Sequence, residues 1–347
     1  TEASQSQQFM YQMFSVMLAK PDPSHPMSFL SRVNIFDADL KVIDQSLQTS
    51  WSAPKAQVQF WRDANGLRGD LTMDVLVGDT RANVSVLGSY LEDEGRFDLG
   101  IDFNEVTPAA FASLSPELSV LAGVELPFQG TLTFSMLVDG TVESVGFDVA
   151  GSKGALSLPV KTAHELGFLS LAQRVDVESV DFRGRYEGTP DKFEINNLTF
   201  EFGEKGKIYL PAPIDHEMPL RTLNARGRYL GENGRLELDA VELDLAGPDA
   251  SIALNMLIDE GGMSLGASGV IRNMKPDQLH RYWPKGLAPN ARTWVVKHIS
   301  GGLVPETRIA LQGRTDKDSG FELVSLNGDM KISDVTVDYL PPMPKAV

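Results

Sequence analysis

Cysteine is absent from the 347 residues, which removes disulfide frameworks, thiolate zinc sites and thiol nucleophiles together. The absence does not choose a compartment, because reducing and oxidising ones both hold such chains. Long apolar runs are missing as well. The longest are of the Val16-Met17-Leu18-Ala19 kind, far short of the roughly eighteen residues of a membrane-spanning helix. Basic charge is scarce: 31 Lys and Arg stand against 47 Asp and Glu, a formal charge of −16. That is the wrong sign for a nucleic-acid phosphate backbone as main partner, so no nucleic acid is expected. Neither an initiator Met nor a signal peptide stands ahead of Thr1, and the last residues run Leu340-Pro341-Pro342-Met343-Pro344. The expectation is a piece of a longer chain, with any export signal or anchor outside it.

What is present is folded-protein composition, 42% hydrophobic and 22% charged, arranged with period two. From Arg96 the chain places Phe97, Leu99, Ile101 and Phe103 on one face and Asp98, Gly100 and Asp102 on the other, the pattern of a half-buried strand. The same alternation recurs at Leu71/Met73/Val75/Val77, Leu132/Phe134/Met136/Val138, Val145/Phe147/Val149, Ile252/Leu254/Met256 and Val335/Val337. Asp139-Gly140, Glu232-Asn233-Gly234 and Asp318-Ser319-Gly320 suit hairpin turns between such runs. About eighteen candidate strands at roughly ten-residue spacing predict a mainly β, antiparallel architecture. Helical spacing is confined to a few places. Residues 1–20 carry Phe9, Met10, Met13, Phe14, Met17 and Leu18 as an amphipathic helix, and residues 21–347 form the repetitive β segment. Short helices are expected near 108–122, after Thr107-Pro108 and Ser115-Pro116, near 162–173, and at 289–299, closed by Gly301-Gly302.

An internal repeat carries more information than any single motif. Arg183-Gly184-Arg185-Tyr186 returns as Arg226-Gly227-Arg228-Tyr229, and without a gap Phe193, Ile195, Leu198, Phe200 and Phe202 align with Leu236, Leu238, Val241, Leu243 and Leu245. Both copies break step at one place, where the apolar spacing goes from two to three and back. A β-bulge at Asn196-Asn197 and at Asp239-Ala240 restores the register and keeps all five side chains on one face while bending the strand. Bulges repeated at one height curve a sheet into a trough with an apolar lining. One reading packs that lining on a second sheet or on helices. The other leaves it open, since few helical residues are available to cover so many strands, and a single sheet of about eighteen strands would extend on the order of 85 Å. An open trough needs an occupant. A two-chain phospholipid exposes about thirty methylenes, which at about 0.8 kcal/mol each resist water by roughly 25 kcal/mol, and a continuous apolar track removes most of that barrier.

The stretch Tyr282-Trp283-Pro284-Lys285-Gly286-Leu287-Ala288-Pro289-Asn290-Ala291-Arg292-Thr293-Trp294-Val295 resembles the signature segment of YhdP-type proteins of the AsmA-like superfamily. Leu126-Pro127-Phe128-Gln129-Gly130-Thr131-Leu132, followed by Asp139-Gly140, and the paired Arg-Gly-Arg-Tyr strands are similar to that family too. The likeness runs from about Pro21 to the end. It implies a long, curved, bulged antiparallel sheet forming an open, taco-like groove in the periplasm of Gram-negative bacteria. It also implies an inner-membrane anchor outside this chain and phospholipid carried between inner and outer membranes, as in the bridge-like lipid-transfer proteins of eukaryotes.

The expected lining is Phe97, Leu99, Ile101, Phe103, Leu132, Phe134 and Met136, the two aligned sets from Phe193 to Phe202 and from Leu236 to Leu245, and Ile252 and Leu254. Lys275 to His298 departs from the acidic background. Within it Arg281, Trp283, Lys285, Arg292 and Trp294 suit lipid head groups or a membrane surface, or the two tryptophans pin a short helix onto the end of the sheet. Gly262-Met263-Ser264-Leu265-Gly266 matches a nucleophile elbow by letter, but it lies in an alternating strand pattern where that motif needs strand, turn and helix. His164-Glu165 lacks the second His of a zinc-protease helix. No enzyme, cofactor or metal is expected. The runner-up function is a structural envelope scaffold assisting outer-membrane assembly, its apolar face filled by protein.

Overall fold

The structure, a computed structural model, describes residues 23–24, 29, 31–44, 49–63, 66–77, 80–112, 117–157, 174–210, 216–259, 262–316 and 320–338. The amphipathic helix expected in 1–20, the turns of helix near 162–173 and the start at Ser115-Pro116 lie outside these residues.

Alternation turns into strands almost wherever the sequence shows it. In chain order they are β1 (Arg32–Asp44), β2 (Thr49–Asp63), β3 (Gly66–Val77), β4 (Thr80–Leu91), β5 (Arg96–Val106), β6 (Val124–Glu125), β7 (Phe128–Leu137) and β8 (Val142–Gly151). Next come β9 (Gly154–Leu156), β10 (Val175–Val177), β11 (Ser179–Gly188), β12 (Asp191–Glu201), β13 (Lys207–Leu210), β14 (His216–Pro219) and β15 (Thr222–Leu230). The last are β16 (Arg235–Asp244), β17 (Asp249–Asp259), β18 (Gly262–Met274), β19 (Ile299–Ser300), β20 (Leu303–Asp316), β21 (Gly320–Ser333) and β22 (Thr336–Val337). Fifteen of them form one sheet in the order β1-β2-β3-β4-β5-β7-β8-β11-β12-β15-β16-β17-β18-β20-β21. These strands follow one another across the sheet in chain order, with the short strands between them set aside, as antiparallel connections favour. The remaining strands make small sheets β10-β9-β6, β13-β14 and β19-β22.

Two compact units divide the chain. The first holds β1 to β5, β7, β8 as far as Val149 and the end of β11; the second holds β6, β9, β10, the start of β11 and everything from Pro190 on. Helix is scarce in both. Pro108–Phe111 is a single helical turn whose preceding Thr107 makes no side-chain cap bond, and Glu117–Gly123 is a 3-10 helix. Pro289–His298 is the longer helix and ends one residue earlier than the spacing predicts, because Ile299 goes into β19 beside Val337. Gly301 and Gly302, both in left-handed conformation at φ 67° and 63°, therefore turn the chain into β20 and do not cap the helix. The strand expected at Val335/Val337 shrinks to the two residues of β22.

The doubled defect of the repeat is a pair of bulges facing one strand. β12 shifts register against β15 between Ile195 and Leu198, and β16 shifts against β17 between Leu238 and Val241. Arg226 of β15 stands between the two, opposite Asn196-Asn197 on one side and paired with Ala240 on the other. Close approach of the neighbouring strand accounts for the glycine in each Arg-Gly-Arg-Tyr. A Cβ on Gly184 would lie 2.7 Å from the Glu194 carbonyl oxygen, and one on Gly227 2.0 Å from that of Glu237, the equivalent place one repeat later. Gly227→Ala is therefore expected to destabilise the chain by about 1–3 kcal/mol. Gly266→Ala, whose Cβ meets nothing within 4 Å, stays within about 0.5 kcal/mol of the parent. Urea denaturation of the two variants checks the contrast. In the first unit the bulges of β1, β2 and β5 hold Asp37, Lys55 and Glu105 at φ 51°, 60° and 59°, a conformation costly for residues with a Cβ.

Candidate functional site

Registers place the expected lining residues opposite one another. In the first unit Phe97, Leu99, Ile101 and Phe103 of β5 pair with Met136, Phe134, Leu132 and Gly130 of β7, and on the other side with Tyr90, Gly88, Val86 and Val84 of β4. The rows continue through Leu67, Gly69, Leu71 and Met73 of β3 to Phe60 and Val58 of β2. Gly69 and Gly88 leave no gap: a Cβ on either would meet the Phe60 ring or Leu99 Cδ2 at 2.9 Å, so the neighbours' side chains lie over them. Tyr90 and Phe97 add a ring contact of 4.6 Å between centroids.

The second unit repeats the arrangement. One row runs Ile195, Gly227, Leu238, Leu254, Ala267, Leu311 and Leu326; the next runs Leu198, Ala225, Val241, Ile252, Gly269, Ile309 and Gly328. Phe200, Leu223, Leu243, Ala250 and Ile271 form a third, and Phe193, Tyr229, Leu236, Met256 and Leu265 a fourth. Every residue expected to line the groove is half-buried except Leu245, which is buried. Sequence reasoning missed the contributions of β2, β3 and β4 in the first unit and of β15, β18, β20 and β21 in the second. In β18 the pattern Met263-Ser264-Leu265-Gly266-Ala267-Ser268-Gly269 is blurred by Gly and Ala, which hydropathy scarcely separates from their polar neighbours; only the pairing shows that Ala267 and Gly269 belong to the rows.

The alternate residues are polar and paired across strands. Arg228 donates from Nε to Glu237 Oε2 at 2.7 Å, a bond that raises its guanidinium pKa above the ordinary value. Lys331 Nζ lies 2.9 Å from Glu306 Oε1 and holds that carboxyl below the usual range, as hydrogen bonds from Asn83 and then Arg81 do for Asp74. All these pairs reach solvent and contribute little stability. A hollow of about 530 Å³ is lined by Arg235, Leu257, Ser264 and Arg314 with Met256 and Leu265, and its two arginines are engaged by Glu237 at 3.5 Å and Glu322 at 2.7 Å. Ser264 lies within β18 with no turn or helix following it directly, so the elbow geometry is not formed there.

At one end of the second unit the chain's own segments pack together. Leu220, Leu245, Ala250, Met274, Tyr282 and Val304 are buried as a cluster, and Phe202, Leu243 and Ile252 pack against it with Ile208, Met218 and Leu279. His216 is buried, with Nε2 2.8 Å from the Arg281 carbonyl oxygen. The five head-group candidates separate here. Trp283 donates from Nε1 to the Leu287 carbonyl at 2.7 Å, and Arg292 donates to the carbonyls of Trp283 at 2.7 Å and His280 at 3.2 Å. Those two fold the segment onto itself. Arg281 and Lys285 are exposed, and Trp294 is 40% exposed with its ring stacked 5.4 Å from that of His298. Compared with protein families, with curated proteins and with solved structures, the chain matches none.

Proposed function

We propose that this chain is a non-catalytic, lipid-conducting segment of a periplasmic bridge, similar to YhdP-type proteins of the AsmA-like superfamily. In this reading the apolar rows of each unit form an open groove for phospholipid acyl chains, head groups stay outside it, and the full-length protein is held at the inner membrane by an anchor outside these residues. One observation carries the proposal: large side chains such as Phe97, Leu99 and Phe134 in the first unit, and Leu198, Leu238 and Leu254 in the second, are matched strand to strand yet only half-buried. A two-layer core would bury them. Acyl chains laid on such rows gain about 0.8 kcal/mol per methylene removed from water and need no specific pocket.

A second reading, an envelope scaffold with its apolar face filled by protein, is favoured by the cluster around Leu220, where the chain already covers part of the third row itself. Native mass spectrometry separates the two. Phospholipid is expected to co-purify with the chain and to be replenished from vesicles of phosphatidylethanolamine and phosphatidylglycerol. A clean apo mass after incubation with those vesicles contradicts conduction and leaves the scaffold.

A further inference from the structure

The long connections of the second unit all leave from one rim of its strands. Residues 202–221, carrying β13 and β14, join β12 to β15 there, and residues 275–302, carrying the 3-10 helix Pro276–Arg281, the helix Pro289–His298 and β19, join β18 to β20. The opposite rim carries short links, Gly231–Gly234 between β15 and β16, residues 260–261 between β17 and β18, and 317–319 between β20 and β21. On the apolar side of the first rim, Ile208 and Met218, partners in β13–β14, pack with Leu279 on the buried cluster, as do Leu223, Leu243, Ile252 and Ile271 of the sheet. The inserted segments therefore stand as a wall at the third row, with Ile252 of the second row at its foot. Away from the wall, β17 runs unshifted against β18 through half-buried Leu254 and buried Met256 to Ile258, which is 45% exposed near the short links.

We infer that each acyl tail lies along the strands of the second unit, with its methyl end against this wall and its head group at the rim of short links, so that the track from Ile252 to Ile258 measures tail length. The inference rests on the lipid conduction proposed above and adds which tails the chain takes. A tail laid across the strands would leave its head group over the apolar side chains of the rows, where polar groups lose water. One laid along them delivers the head group to the rim. The six steps of strand from Ile252 to Ile258 span about 20 Å. A saturated chain, with bonds of about 1.5 Å at about 111°, advances roughly 1.25 Å per carbon, so about 16 carbons fill the track. Shorter tails leave apolar floor in water, and longer ones meet the wall and must project past the rim. Tails lying across the strands would meet no such stop, because the first and second rows continue through β18 and β20.

Monomeric single-tailed phosphocholine lipids of graded length, from about 10 to about 22 carbons, test this on the full chain by isothermal titration. Affinity is expected to rise roughly twofold to fourfold per carbon up to about 16 carbons and then to level off. Ile252→Trp, which builds the wall outward, should move the break to tails shorter by about two carbons. Leu257→Trp, with the same bulk on the other side of β17, should leave it in place. A second measurement reads orientation. A nitroxide on the head group should quench a fluorophore at Ile258→Cys and spare one at Ile252→Cys, and a nitroxide at the methyl end should do the reverse. A steady rise to about 22 carbons, or equal quenching at both positions, would overturn the inference and leave lipid conduction standing. Absence of binding at every length would overturn both.

Discussion

Leu254→Asp is expected to abolish phospholipid binding, with at least a roughly tenfold loss of co-purified lipid, while the fold survives. Leu254 lies between Leu238 and Ala267 in the middle of a row and is half-buried, so the carboxylate retains access to water in the free protein. An acyl chain laid over that position would desolvate the charge, at a cost of several kcal/mol, against about 0.8 kcal/mol gained per methylene. Asn255→Asp, one residue along and exposed, places the same charge on the opposite side of the strand and should leave lipid binding unchanged. Circular dichroism of both variants checks the fold, and phosphate analysis of extracted lipid reads the binding.

Leu220→Ala is expected to cost about 2–5 kcal/mol, seen as a lower urea midpoint. Leu220 is 1% exposed and central to the buried cluster with Leu245, Met274 and Tyr282, so truncation leaves a cavity that rigid strand ends cannot close. Leu254→Ala removes the same atoms from a row, where water or lipid can take their place, and should cost clearly less, about 1–2 kcal/mol. Equal losses at the two sites would mean that the rows are sealed like a core. The comparison measures covering directly, independent of any ligand.

Much of the sheet was legible because its information is local. Phe97 to Phe103 alternate with polar residues and became β5; the step of three at Ile195/Leu198 and Leu238/Val241 became two bulges. The glycines of the repeated Arg-Gly-Arg-Tyr were visible as a pattern, but their cause, a carbonyl of the next strand at 2.7 Å and 2.0 Å, depends on a partner strand that no single-strand pattern contains. The cluster around Leu220 and Tyr282 was hidden for a similar reason. It assembles residues from Phe202 to Val304, scattered along the chain, and nothing in their spacing announces that they meet. The basic, aromatic segment was half legible. Its charge excess was plain, but whether Arg292 faced solvent or backbone depended on the loop from Trp283 to Leu287, which uses Arg292 as an internal clamp.

The most direct measurement uses the chain's freedom from cysteine. Single cysteines placed in turn at Ser251, Ile252, Ala253, Leu254 and Asn255 of β17, each carrying an environment-sensitive fluorophore, are titrated with phospholipid vesicles. A period-two response is expected, with probes at 252 and 254, both half-buried, shifting to an apolar environment and those at 251, 253 and 255 unchanged. A response without that alternation, or none at any position, would contradict it.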